Sequence, residues 1–206
     1  MDSVPTPAIG GELPSNAAFK VDSSAWAFDP GRVGDANQVR TLSCVIWSCN
    51  EASRLTQLLP QMSDLLTACG HPWEIVVIDA ASSDGTADLL RRWGAIPAVR
   101  SVTLQDPSGA SALSAGLAAA RGDAVIFLDA NLQHKLALIP QMISHWEGGA
   151  EVVYALRQGL PERSELNWIG PSVFDGLVDS PKPLDWLEDC AELTLLNRRV
   201  VNYLSK

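Results

Sequence analysis

The chain has 206 residues, 47% of them hydrophobic, which is enough to close one sizeable core and short for two. A formal net charge of -9 and a pI near 4.7 exclude a typical nucleic-acid binder, whose affinity rests on clustered Lys and Arg. No apolar run approaches the roughly 18–20 residues that cross a bilayer, and no basic segment leads into an apolar stretch at the amino end, so a cytoplasmic protein is expected.

Residues 1–40 are rich in Pro, Gly, Ser, Asp and Asn, with Trp26 and Phe28 as their large apolar anchors; they read as a flexible arm ahead of one domain over 41–206. From Leu42 the chain alternates short apolar runs with longer amphipathic ones. LSCVIW, WEIVVID, VRSVTL, AVIFLD and EVVYAL read as strands, and EIVVID and AVIFLD are apolar on both faces, as central parallel strands must be. Between them lie a helix-like stretch from Glu51 to Ala68, one from Asp84 through Trp93, one from Ser108 or Ser111 through Arg121, and one holding Met142 to Trp146 that ends at Gly148-Gly149. Right-handed crossovers turn this alternation into a doubly wound, mostly parallel α/β sheet flanked by helices, with ligands bound outside the carboxyl ends of the strands. Asn50 and Glu51, Asp79, and Asp129 fall at that edge.

Cys44, Cys49, Cys69 and Cys190 show no CxxC pairing and read as reduced, partly buried thiols. His71, His134 and His145 share no metal-ligand spacing. The seven tryptophans are spread along the chain and read as packing residues.

Four segments carry a resemblance to the family 2 inverting glycosyltransferases, especially the dolichyl- and polyprenyl-phosphate sugar transferases. VIWSCNE resembles the family's first strand and Asn-Glu turn, and EIVVIDAASSDGT its nucleotide loop. GLAAARGDAVIFLDANLQ resembles the approach to its Asp-x-Asp metal motif, and DCAELTLLNRRVV its acceptor segment and Arg-Arg helix. The match runs from about Ser43 to Leu204 in the family's order and implies a GT-A-like, Rossmann-like fold. It further implies a UDP- or GDP-sugar donor bound by Asn50, Glu51, Asp79, Ser83 and Asp84, with Asp79 on the base. A weakly held Mg²⁺ or Mn²⁺ would sit on Asp129, Asn131 and Gln133. Arg157 and Arg198 would hold phosphates, and Glu192 is the candidate base. The acceptor implied is a polyprenyl phosphate or a glycan.

The departures bear on chemistry. Ala80 and Ala81 replace the second aspartate of the nucleotide loop and the small residue after it, Asn131 replaces the second metal aspartate, and Thr194 stands where the acceptor segment has Arg. Trp47 takes the place of a proline beside the pocket, where it can stack on a base or fill the space. The amphipathic or membrane-spanning helices that follow in such relatives are not seen after the Arg-Arg helix. Ser172, Phe174 and Leu177 leave a peripheral contact with the cytoplasmic face of the membrane open, although such a stripe is more often simply a core-facing helix. Asp84, Thr86, Asp129 and Asn131 can equally be helix caps.

Two readings therefore stand: a hexosyltransferase, or a catalytically impaired relative with the same fold that acts as a binding or partner module. A homodimer or protein partner is left open. A nucleotidyltransferase is a weaker third, lacking the Gly- and Lys-rich phosphate loop near the first strand.

Overall fold

The computed structural model describes residues 39–105, 109–131, 133–156, 166–172, 174 and 191–205, with residues 109–111, 133, 134, 156, 191 and 192 described by backbone alone. The expected arm, Arg157, Leu177 and Cys190 lie outside the described residues.

In chain order the elements are β1 (Leu42–Ser48), α1 (Ala52–Ala68), β2 (Trp73–Ala80), α2 (Thr86–Trp93), β3 (Val99–Leu104), α3 (Gly109–Ala119) and β4 (Ala124–Asp129). A 3-10 turn (Gln133–Leu138) leads into α4 (Ile139–Glu147), followed by β5 (Val152–Leu156), β6 (Leu166–Ile169), β7 (Ala191–Asn197) and α5 (Arg198–Leu204). They form a seven-stranded sheet in the order β3-β2-β1-β4-β7-β5-β6. β1 pairs in parallel with β2 and β4, and β2 with β3. β7 is antiparallel to both β4 and β5, and β6 to β5, so β1 to β5 all point the same way and only β6 and β7 oppose them. The five expected strands and four expected helices are all present. β7 was not anticipated; it slots between β4 and β5, which would otherwise be neighbours.

Two apolar layers follow from the alternation of side chains along each strand. Leu42, Cys44 and Ile46 of β1 join Leu55, Leu58, Leu59, Met62 and Leu66 of α1 and Met142, Ile143 and Trp146 of α4 in one core. Val45, Val76 and Ile78 face the other way, onto Ala112 and Leu117 of α3 and Val200 and Val201 of α5. Burying each large side chain stabilises by about 1.5–3 kcal/mol, and the two-sided burial explains the unbroken apolar runs of β1, β2 and β4. The small residues of α3 let it lie close to the sheet: a Cβ on Gly116 would stand 2.5 Å from Val45 Cγ1. α1 continues through Pro60, whose exposed ring costs the helix one backbone hydrogen bond.

Phe174 is 1% exposed, with its ring edge-on to Tyr203 at 6.0 Å and the Arg199 guanidinium over it at 5.5 Å. Its side chain belongs to the core, in keeping with the core-facing reading of that stripe. No helix among the described residues is long and apolar enough to cross a membrane.

Candidate functional site

Parallel strands align their carboxyl ends, so the register decides which side chains meet there. Ser48 of β1 pairs with Asp79 of β2, and Trp47 with Asp129 of β4. Asp79 is only 2% exposed, and one of its carboxylate oxygens accepts the Ser82 N–H at 3.2 Å. Asp129 Oδ1 accepts the Asn131 N–H at 2.8 Å, turning the chain sharply after β4.

The loops after β1 and β2 are knitted together. The Asn50 N–H donates to Ser82 Oγ at 2.8 Å, and Asn50 Oδ1 accepts the Ser83 N–H at 2.7 Å and its hydroxyl at 3.3 Å. Asp84 spans both helices that start here. One oxygen accepts the Ala52 N–H at the head of α1 (3.0 Å), and the other accepts the Thr86 N–H (3.0 Å) and hydroxyl (2.5 Å) at the head of α2. Neither Glu51 nor Gly85, the residue preceding each helix, supplies a side-chain cap, so Asp84 does it for both. The Thr86 hydroxyl holds the Asp84 carboxyl below the usual carboxylate range; burial opposes it, and the Ala52 and Thr86 amides add to the lowering. Two residues of these loops adopt the left-handed backbone region: Asn50 at φ 57° and Ala81 at φ 55°. Asn tolerates it readily; alanine does so at a cost of about 1 kcal/mol or more.

A third connection crosses the edge. Arg54, in the first turn of α1, donates from Nη1 to Glu51 Oε1 at 2.6 Å and to Asn131 Oδ1 in the loop after β4. Two buried polar atoms there have no hydrogen-bond partner: Ser48 Oγ, on a residue 1% exposed, and Trp47 Nε1. Trp47 packs against the α3 side of the core, on the opposite face of β1 from Ser48. The 3-10 turn that follows carries Lys135, 2% exposed.

Six of the residues singled out in the sequence, Asn50, Glu51, Ser83, Asp84, Asp129 and Asn131, are thus joined at one edge with Asp79. The hydrogen bonds of Asn50, Ser83 and Asp84 hold the two loops in place. Glu192 reaches the same edge by its backbone, because β7 pairs Leu193 with Leu128.

Arg198 does not. β7 runs antiparallel and pairs Asn197 with Ala124, so α5 begins at the amino end of β4, about 16 Å of strand away from Asp129. There Arg198 Nε donates to the Gly122 carbonyl at 2.8 Å, and Nη2 to the carbonyls of Gly122 and Ala120. Burial lowers its pKa, opposed by Asp123 and Glu74. Arg199 is at the same end, 3.3 Å from Glu151. The sequence showed both arginines but not the strand reversal that carries them away. A cavity of about 320 Å³ also lies at the amino end, lined by Thr41, Leu42, Pro72, Trp73, Glu74, Arg121 and Gly122; the polar loops are on the opposite side.

Sequence reasoning missed Arg54, Ser48, Ser82 and Lys135. Arg54 had a signal, since Glu51 and Arg54 are three apart at a helix start and such pairs face each other. For Lys135 there was none, because a 3-10 turn presents its residues with no helical or strand period.

The described donors suit a divalent cation poorly. No group of three His, Cys, Asp or Glu able to hold one is found among the described residues, and the Asn131 oxygen already accepts from Arg54.

Comparison with known proteins gives the family. Residues 43–202 match the family model Glycosyl transferase family 2. An uncharacterised glycosyltransferase of Synechocystis sp. is 28% identical over 167 residues, covering 80% of this chain and 52% of that protein. The undecaprenyl-phosphate 4-deoxy-4-formamido-L-arabinose transferase of Edwardsiella ictaluri is 33% identical over 129 residues, covering 61% and 40%. The chain therefore spans about half the length, or less, of these relatives. Among solved structures, glucosyl-3-phosphoglycerate synthase of Mycobacterium tuberculosis with UDP superposes at a TM-score of 0.55, with 22% identity over 85% of this chain and 62% of that one. A mannosyltransferase of Pyrobaculum calidifontis with GDP-Man and Mn²⁺ superposes at 0.54, with 21% identity over 82% and 47%. The fold is that of the GT-A glycosyltransferases, and the chain belongs to glycosyl transferase family 2.

Proposed function

We propose that this chain is a hexosyltransferase domain that binds a UDP- or GDP-sugar at the carboxyl edge of β1, β2 and β4 and passes the sugar to an acceptor, a polyprenyl phosphate of the undecaprenyl class. What carries the reading is the edge itself, where Asp79 and Asp129 flank β1 in register and two cross-bonded loops frame them. The acceptor class is suggested by the arabinose transferase relative, which is named for undecaprenyl phosphate.

The step is an in-line displacement. A phosphate oxygen of the acceptor forms a bond to the anomeric carbon while the bond from that carbon to the donor diphosphate breaks, and the nucleoside diphosphate leaves with the electron pair. The acceptor phosphate is already ionised at neutral pH, so no strong base is needed, and the demand falls on groups that hold and neutralise two phosphates. Asp79 contacts the base of the donor, Glu192 stands beside Asp129 on the acceptor side, and Arg157 meets phosphate. Mg²⁺ or Mn²⁺ would be held only weakly, by Asp129, Asn131 and Gln133, and would add Lewis-acid stabilisation of the leaving group. The domain occupies 41–206 and works at the cytoplasmic face of the membrane, where a lipid phosphate presents itself.

The alternative is a binding or partner module, favoured by the uncharged Ala80, Asn131 and Thr194 at positions where the family carries charge. The two separate in one assay. The full chain is incubated with labelled UDP- and GDP-sugars and vesicles containing undecaprenyl phosphate, and label is counted in the lipid extract. Lipid-borne label that disappears in Asp79→Asn supports transfer; label that stays in water with every donor refutes it and leaves the binding module.

A further inference from the structure

The family resemblance calls for a dication between two aspartates, and this edge has neither the second aspartate nor a well-formed set of metal donors. It does have a guanidinium. Arg54 leans from the first turn of α1 across the carboxyl edge to Asn131, the residue standing where the second aspartate is expected, while about half of its side chain (51%) remains in solvent. We propose that Arg54 is the group that neutralises the donor diphosphate, so that donor binding in this protein does not depend on a divalent cation. The proposal rests on the reading of this edge as the donor site.

Charge supports it first. Two aspartates with a dication sum to zero, and so do Asp129, neutral Asn131 and one guanidinium, with Glu51, the partner of Arg54 at 2.6 Å, an acidic position common to both patterns. Losing an aspartate and exchanging a dication for Arg are matched changes, whereas either alone would leave the edge unbalanced before the diphosphate arrives. Geometry supports it next. The Arg54–Asn131 bond fixes the guanidinium over the loop after β4, and a planar fork of N–H donors is suited to paired phosphate oxygens. The Asn131 amide accepts from Arg54 without adding another carboxylate to Glu51, which already pairs with it. Glu51, 2.6 Å away, orients the side chain from its own helix start. An independent observation points to a polar ligand on the same side of this edge: Ser48 Oγ, at the end of β1 on the face that Leu42, Cys44 and Ile46 turn toward α1, is buried without a partner among the described residues, and a buried unsatisfied donor is costly unless something arrives to accept from it.

The test is calorimetric titration of UDP and GDP into the full chain, in EDTA and again with Mn²⁺, using the wild type, Arg54→Met, Arg54→Lys and the double variant Arg54→Met with Asn131→Asp. One of the two nucleotides is expected to bind the wild type in EDTA, tightening less than about threefold with Mn²⁺. Arg54→Met should weaken binding in EDTA by at least about tenfold, Arg54→Lys by less, and the double variant should recover only when Mn²⁺ is present. Circular dichroism and thermal melting confirm that each variant folds. Wild-type binding that requires Mn²⁺, or unchanged binding by Arg54→Met in EDTA, overturns the proposal and leaves the donor site standing. Failure of both nucleotides to bind under both conditions overturns the donor site and the proposal together.

Discussion

Asp84 gives the sharpest test of how the edge is built. Its two oxygens accept three hydrogen bonds, from the heads of α1 and α2 and from the Thr86 hydroxyl, and neither helix has another side-chain cap at that position. Losing an N-cap costs about 1 kcal/mol, so Asp84→Ala removes about 2 kcal/mol from two helices. The carboxylate is exposed, and water regains the freed donors, which trims the loss to about 1.5 kcal/mol. For a domain of this size that lowers Tm by about 3–6 °C. Asp84→Asn keeps an acceptor but loses the charge facing two helix heads, worth about 0.3–1 kcal/mol at each, and should fall roughly midway. The sign with pH is fixed by the lowered pKa: the stabilisation is complete above the ordinary carboxylate value and is lost as pH falls through the folded one. Urea unfolding at pH 7 and along a descending pH series therefore separates the variants at the higher pH and narrows the gap between wild type and Asp84→Asn as pH falls below the ordinary carboxylate value. An Asp84→Ala loss under about 0.3 kcal/mol, or a gap between wild type and Asp84→Asn that does not narrow as the pH series descends through the acid range, refutes the double-cap reasoning.

The other predictions use the same measurements. Ala81→Gly should stabilise by about 1 kcal/mol, because glycine removes the Cβ strain at φ 55°, and Ala81→Val should destabilise by more than that. Gly122→Ala puts a Cβ 2.5 Å from the Ser43 backbone nitrogen and 2.7 Å from the Leu42 carbonyl carbon; a loss of at least about 2 kcal/mol in urea unfolding is expected, since neither backbone atom can move aside. Pro60→Ala restores a mid-helix hydrogen bond on an exposed face of α1 and should raise Tm by several degrees, about 1–3 kcal/mol. Arg198→Ala should lower stability through the Ala120 and Gly122 carbonyls while leaving nucleotide affinity within about twofold, measured by titration.

How much of this was legible in the sequence depends on whether the signal was local. Strand and helix identity came from apolar period, so VRSVTL and AVIFLD are strands over their expected residues, and the position of Asp79 and Asp129 at one edge followed from where those runs stop. β6 and β7 were missed because each depends on a partner far along the chain. AELTLLN pairs with β4 and β5, and nothing in its own residues states that it reverses direction. That reversal is what moves Arg198 from the expected phosphate site to the amino end, where it closes helix-end and loop carbonyls.

The same distinction separates the roles of the motif residues. The SSDGT run looks like a ligand loop, yet Ser83 and Asp84 direct their hydrogen bonds to Asn50, Ala52 and Thr86, joining two loops that lie more than thirty residues apart in the chain. A motif can therefore persist because it shapes a pocket, even where charges that would work within the pocket have changed. Ala80 and Asn131 are such changes, and each removes a carboxylate from the edge. Had nothing cationic been built nearby, these losses would point to a site no longer under demand for charge balance. Arg54 changes that inference, because a guanidinium fastened to Asn131 is what an edge lacking its second carboxylate would require to receive a diphosphate. The altered motif and the added arginine are then two halves of one electrostatic arrangement, and removing either by mutation should expose the need for the other.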